Sequence, residues 1–125
     1  MKVLTSAQRN SVLKTMSQLI AEERTAIIAA NKIDVENYHG DDLAMYDRLK
    51  VDGAKVDGMI LSLQQLIAAV DPVGKELYNF THENGLKMTN KTAPFGTVLI
   101  IYESRPDVTV EAGGIAFKSG NKILL

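Results

Sequence analysis

Up to Asp71, apolar side chains recur at intervals of three and four; beyond it they alternate or run together, so the pattern predicts helices first and strands afterwards. Thr5 or Ser6 can cap a first helix, because a side-chain oxygen accepts a hydrogen bond from an otherwise unpaired backbone N–H. Leu13, Met16 and Ile20 follow at helical spacing. A second pattern places Ala26, Ala29, Ala30 and Ile33 on one face, with Glu22 and Glu23 in its opening turn, where acids complement the helix dipole. Residues 37–40 end it, and 41–50 read as a short polar helix or loop. The clearest helix is expected over 52–70, with Val56, Met59, Ile60, Leu63, Leu66, Ile67 and Val70 in one stripe. Asp71-Pro72 stops it, since a residue before proline is pushed out of helical geometry. Such a stripe is core packing rather than a cofactor surface.

A β-hairpin is predicted next. Residues 75–83 and 86–92 flank Asn84-Gly85, a pair that takes the positive φ angles of a tight turn. Tyr78 and Phe80 alternate with Asn79 and Thr81, and Leu86 and Met88 with Lys87 and Thr89. The outer face is polar, so the hairpin can protrude as an arm, and its edges invite strand pairing with another subunit.

The last stretch organises the rest. Residues 97–102 read as a buried strand, 103–106 as a polar turn, the residues to about Lys118 as a helix, and 122–125 as a second strand after Ser119-Gly120-Asn121. This is a βαβ unit, whose strands should run parallel. Val98, Leu99, Ile100 and Ile101 are consecutive, so their side chains point to both faces and both faces need covering. Burial of such side chains contributes roughly 1.5–3 kcal/mol each, so the strand calls for more sheet than the chain holds. The fold class is therefore α/β, and the chain reads as the front of a larger protein.

Composition narrows the function. Of 125 residues, 46% are apolar and 23% charged, and the net charge is −1, with basic and acidic side chains interleaved. That argues against a nucleic-acid partner and against a membrane-facing basic patch. No apolar run reaches spanning length and no signal-peptide pattern opens the chain, which makes the cytoplasm the expected location. There is no cysteine, so disulfides, thiolate zinc sites and a thiol nucleophile are excluded from these residues. His39 and His82 stand apart without ligand spacing, so no metal site is expected.

Candidate chemistry sits in the turn Glu103-Ser104-Arg105-Pro106-Asp107, at the carboxyl end of the first parallel strand, where ligands of such sheets bind. Pro106 suits the first helical turn, and the unpaired N–H groups there favour an anion. Arg105 adds a planar guanidinium able to hold phosphate or carboxylate with two hydrogen bonds. From these residues alone a phosphate site and an Arg105–Glu103 surface pair with a helix cap remain equally open. Gly113-Gly114 lies inside the helix, not in a phosphate loop; it suggests a close helix–sheet approach or tolerated weakness. Lys118, at the helix's C-terminal end, is favourable there for structural reasons.

Several motifs together resemble γ-glutamyl phosphate reductase (glutamate-5-semialdehyde dehydrogenase), of the aldehyde dehydrogenase superfamily. They are Pro94-Phe95-Gly96, the run from Ile101 to Thr109, and Lys118-Ser119-Gly120-Asn121. Ala30-Asn31-Lys32-Ile33-Asp34, Asp47-Arg48-Leu49, Asp71-Pro72-Val73-Gly74-Lys75 and Asn84-Gly85-Leu86 fit the same order. The resemblance spans nearly the whole chain but about the N-terminal third of a family member.

The resemblance implies an aldehyde-dehydrogenase-like fold: an N-terminal helical part of the cofactor domain over 1–71, a β-hairpin arm over 72–95, and the start of a Rossmann-like NADP-binding βαβ unit over 96–125. It implies NADPH-dependent reduction of L-glutamate 5-phosphate to L-glutamate 5-semialdehyde with release of phosphate, the second step of proline synthesis from glutamate. In the family a cysteine thiolate attacks the acyl phosphate and the thioester accepts hydride. That cysteine is absent here, so no catalytic nucleophile is assigned and the 125 residues alone are expected to be inactive. Carried over by position, Tyr102, Glu103, Ser104, Arg105 and Pro106 are the candidate cofactor contacts, with Ser104 and Arg105 the candidate oxyanion and phosphate contacts. A homo-oligomer joined through the arm is the expected assembly. The competing reading is a truncated, non-enzymatic relative acting as an assembly or regulatory partner.

Overall fold

The computed structural model describes residues 4–103 and 105–125. Among them four helices come first, α1 (Ser6–Glu22), α2 (Arg24–Glu36), α3 (Leu43–Leu49) and α4 (Gly53–Ala68). The strands β1 (Glu76–Thr81), β2 (Lys87–Lys91) and β3 (Thr97–Leu99) follow, then α5 (Pro106–Lys118) and β4 (Lys122–Leu124).

Side-chain caps start α1, α3 and α4. Thr5 caps α1: its hydroxyl accepts the Gln8 N–H at 3.2 Å, while the Gln8 side chain accepts the Thr5 N–H at 2.9 Å. This reciprocal box satisfies two donors that the first turn leaves unpaired. Asp42 caps α3 and Asp52 caps α4, the latter accepting from the Lys55 N–H at 2.9 Å.

The core forms where α1, α4 and α5 meet. Leu13, Val51, Val56, Met59, Leu63 and Val110 are buried together, ringed by partly buried side chains that include Met16, Ile20, Ile60 and Phe117. Val110 lies on the helix of the βαβ unit, so that unit and the N-terminal helices share one hydrophobic interior. The α4 stripe is as expected except at its end. The helix stops at Ala68, Ala69 turns extended, and Val70 is left exposed. That early exit lets Asp71 reach back to α1, where Arg9 Nη2 donates to both carboxylate oxygens at 2.6 Å. Arg9 is buried, and Asp71 also accepts the Val73 N–H at 3.0 Å.

α2 packs through a face other than the one expected. Ala26, Ala29, Ala30 and Ile33 are exposed, and Glu22 and Glu23 precede the helix rather than open it. Ile27, Ile28 and Asn31 turn inward instead. Asn31 decides the orientation: its amide donates to the Leu49 carbonyl at 2.8 Å and accepts the Val51 N–H at 2.6 Å. A buried amide must be hydrogen-bonded, whereas alanine methyls lose little in water.

The glycine pair in α5 also serves a different contact. A Cβ on Gly114 would stand 2.9 Å from Leu66 Cδ1 and 3.1 Å from Leu63 Cδ2, so the close approach is helix to helix. Gly113 faces Leu125 Cδ1 at an ordinary 3.7 Å.

β1 and β2 pair antiparallel, with Phe80 opposite Met88 and Tyr78 opposite Asn90, and every residue of both strands is exposed. The connection is longer than a two-residue turn. His82 and Leu86 face each other through a 2.8 Å backbone bond, the His82 carbonyl accepts the Gly85 N–H at 2.8 Å, and Gly85 has φ +86°. This is a three-residue loop whose left-handed position is Gly85. Thr92 ties the hairpin's base, its hydroxyl donating to the Pro72 carbonyl at 2.6 Å.

β3 and β4 pair in parallel, Val98 opposite Ile123, as expected of the βαβ unit. The first strand is shorter and more open than expected. Val98 and Ile100 are half-buried, while Leu99 is 63% and Ile101 87% exposed. A two-stranded sheet cannot cover both faces of a strand, so alternate side chains stay in water.

Candidate functional site

The chain turns from β3 into α5 at residues 100–106, the corner singled out from sequence. On the strand side, the Ile100 N–H still donates to the Leu124 carbonyl at 3.0 Å, which aligns the strand end with β4. Beneath it the Gly96 N–H donates to Asn121 Oδ1 at 3.0 Å and the Lys122 N–H to the Gly96 carbonyl at 2.7 Å. The Lys118-Ser119-Gly120-Asn121 motif thus reaches the base of the strand through Asn121. Gly120, with φ +77°, makes the return turn.

On the helix side, Pro106 takes the first helical position and Arg105 the cap position, with no side-chain hydrogen bond closing the end. The Val108 N–H donates to the Arg105 carbonyl at 3.0 Å. The remaining first-turn donors have no capping side chain among the described residues, which leaves them and the positive helix end available to an anion. Asp107 stands in the same turn with one buried carboxylate oxygen that has no hydrogen-bond partner among the described residues.

The candidate residues fall as follows. Arg105 and Glu103 are exposed, and among the described residues no ion pair joins them, so the surface-pair alternative is not what the structure holds. Pro106 is half-buried. Tyr102 is half-buried and its hydroxyl is hydrogen-bonded to Thr109 Oγ1, one turn into α5. Ser104 lies outside the described residues. The corner therefore gathers Tyr102, Glu103, Arg105 and Pro106, with the exposed Arg105 in no ion pair among the described residues.

Sequence reasoning missed Thr109 and the interior position of Lys118. Thr109 is seven residues from Tyr102, and only the tightness of the corner brings their hydroxyls together. Lys118 is not a solvated helix-end cation: it is 3% exposed, and its ammonium donates to Asn10 Oδ1 at 2.8 Å and to the Ile67 carbonyl at 3.4 Å. Its long stem crosses the junction of α1, α4 and α5.

Other features of the surface lie elsewhere. An apolar groove of about 600 Å³ runs along α1 and the start of α2, lined by Val12, Met16, Leu19 and Ile27 among others. Among the described residues no group of three or more His, Cys, Asp or Glu side chains is placed to hold a metal ion, and no helix is long and apolar enough to cross a membrane.

No protein-family model matches the chain. Curated proteins do match it. The gamma-glutamyl phosphate reductase of Leptospira biflexa is 41% identical over 127 aligned residues, covering 100% of this chain and 30% of its own length. That of Hydrogenobaculum is 42% identical over 124, covering 98% of this chain and 28% of its own. Among solved structures, the gamma-glutamyl phosphate reductase of Thermotoga maritima superposes with a TM-score of 0.90 at 39% identity, over 98% of this chain and 30% of that one. The Saccharomyces cerevisiae enzyme gives 0.90 at 30% identity, over 96% and 31%. The resemblance read from the motifs is thereby confirmed along the whole chain, which spans about 30% of the relatives' length and corresponds to their N-terminal part. The α/β architecture is that of the same region in the crystal structures.

Proposed function

We propose that this chain forms the N-terminal part of an NADPH-dependent γ-glutamyl phosphate reductase that converts L-glutamate 5-phosphate to L-glutamate 5-semialdehyde and phosphate, the second step of proline synthesis from glutamate. The observation that carries the reading is the whole-chain likeness to enzymes of that name, in sequence and in fold. In this reading residues 1–71 are the helical part of the cofactor domain, 72–95 the arm, and 96–125 the start of the nucleotide-binding sheet. The open face of β3 suits that assignment, because Leu99 and Ile101 present the apolar surface on which further elements of such a domain would pack. The activity is assigned to the cytoplasm.

The corner fits a phosphate-bearing nicotinamide cofactor. A helix start with no side-chain cap among the described residues, a proline that needs no N–H partner and an exposed guanidinium together favour a charged, oxygen-rich ligand. NADPH supplies the hydride when bound. Arg105 holds a phosphate or carboxylate group; Glu103, Tyr102 and Pro106 border the cofactor, and Ser104 is assigned a hydrogen bond to the developing oxyanion. The chain contributes no nucleophile, since it contains no cysteine, and the 125 residues alone are assigned no turnover.

The arm supports a homo-oligomer. Tyr78, Phe80, Leu86 and Met88 are exposed on a hairpin that has no extensive packing on a helix among the described residues, and its outer edges pair with no other described strand.

The full-length protein, supplied with NADPH and glutamate 5-phosphate, should release semialdehyde; activity restricted to free aldehydes would reject the assignment. Arg105→Ala should lower kcat/KM more than tenfold, about 1.4 kcal/mol. Unchanged kinetics in a folded variant removes Arg105 from the site.

A further inference from the structure

We infer that Asn121 is a positioning residue for the candidate corner: its side chain sets the register of β3 against β4, and so fixes where the strand delivers the residues that meet the ligand. The inference rests on the proposed reductase reading for the ligand, but the register itself stands on geometry.

In a hairpin the turn fixes which residues face each other, but parallel strands joined through a helix have no such turn. Hydrophobic pattern does not supply the register here either. Val98, Leu99, Ile100 and Ile101 are consecutive in one strand, and Ile123, Leu124 and Leu125 in the other, so a slip of one residue still sets apolar against apolar. The pairing is short, from Thr97 opposite Lys122 to Leu99 opposite Leu124. What distinguishes this register is polar and lies at its base. The Gly96 N–H donates to Asn121 Oδ1 at 3.0 Å, and the Gly96 carbonyl accepts the Lys122 N–H at 2.7 Å. Gly96 presents both groups from φ +110°. A Cβ there would meet no atom within 4 Å, so backbone conformation rather than space calls for glycine. Asn121 is itself anchored: it is buried, and its N–H donates to the Ala116 carbonyl at 3.0 Å, in the last turn of α5. The motifs Pro94-Phe95-Gly96 and Lys118-Ser119-Gly120-Asn121, far apart in sequence, thus close into one clasp that ties the start of β3 to the end of α5. Both sides of the corner hang from it, β3 leading toward Tyr102 and Glu103, and α5 opening at Pro106. A one-residue slip would carry the strand about 3.3 Å along its axis. Ligand contacts tolerate far less, since misplacement by about 1 Å costs on the order of a hundredfold in rate.

The test compares Asn121→Ala, Asn121→Asp and Asn10→Leu in the full-length protein. Asn121→Asp keeps an acceptor oxygen for the Gly96 N–H, and Asn10→Leu loosens α5 at Lys118, away from the clasp. The Lys122 and Ile100 amides donate across the strand pair, to Gly96 and Leu124. Their exchange is expected to quicken about tenfold or more in Asn121→Ala and to stay within about threefold of parental in the other two variants. With glutamate 5-phosphate and NADPH, Asn121→Ala should lose about tenfold or more in kcat/KM, and the other two less than about threefold. Parental exchange at both amides in a folded Asn121→Ala variant overturns the inference. So does a loss in Asn121→Asp equal to that in Asn121→Ala, or an equal kinetic loss in Asn10→Leu, which would show that loosening α5 anywhere is enough. If Asn121→Ala does not fold, Asn121→Ser, whose hydroxyl stops short of the Gly96 N–H, decides by the same comparison. A parental protein inactive on glutamate 5-phosphate would reject the reductase reading, while the exchange comparison would still decide the clasp.

Discussion

Gly114 and Leu66 meet across the α4–α5 interface so closely that a methyl on the glycine would stand 2.9 Å from Leu66 Cδ1. Leu63, fully buried, closes the other side at 3.1 Å. The neighbouring Gly113 has no such constraint, its nearest atom being Leu125 Cδ1 at 3.7 Å.

The two glycines should therefore respond differently to the same change. Alanine in a helix interior is favoured over glycine by roughly 1 kcal/mol. Gly113→Ala should gain most of that. Gly114→Ala should gain little, and Gly114→Val should lose about 2 kcal/mol through overpacking. Chemical denaturation of the three variants checks the order; equal stabilisation at 113 and 114 would show that the leucines yield freely.

Lys118 supplies a second comparison. Its buried ammonium faces only neutral acceptors among the described residues, Asn10 Oδ1 and the Ile67 carbonyl. Asn10→Leu leaves it with one long bond and should cost about 2 kcal/mol. Adding Lys118→Met removes the charge while keeping most of the stem's volume, so the double variant should be more stable than Asn10→Leu alone. Urea midpoints of both single variants and the pair provide the measurement.

Acid should weaken the α1–arm connection. The Val73 N–H foremost, then the Ser6 hydroxyl and the Arg9 guanidinium, hold the Asp71 carboxyl below the usual carboxylate range. A carboxyl lowered on folding stabilises fully above its unfolded value of about 3.9, and that stabilisation fades as pH falls through the lower folded value. Asp57, beside Arg24, and Asp52, bonded to the Lys55 N–H, are shifted the same way. Stability should thus decline on acidification below about pH 4. In Asp71→Asn that decline should be shallower and start from a lower plateau, as a denaturation series across pH would reveal.

The hairpin should open independently of the core. Its side chains are exposed on both faces and its hydrogen bonds are reached by solvent, so local opening requires little loss of packing. Amide exchange over residues 76–91 should be much faster than over α4 in the isolated 125-residue chain. Pairing with a second copy would slow it, so concentration-dependent protection would report arm-mediated assembly.

What could be read directly from residue order was whatever neighbours in sequence decide among themselves. The α1 cap at Thr5, the α4 stripe, the two hairpin strands, the reach of α5 to Lys118 and the parallel β3–β4 pair all follow from contacts a few residues apart or from period. The motif set around Arg105 likewise marks the strand-to-helix turn in the sequence. Tertiary structure alone decided which face of α2 turns inward, because Asn31 needed acceptor and donor at Leu49 and Val51. It alone placed Gly114 against α4, drew Lys118 to Asn10, and joined Tyr102 to Thr109. A repeat of apolar residues says that a face will be buried, but the partner that buries it is distant in the chain. The same holds for a polar group withdrawn from water, which takes whichever partner the packing brings within reach.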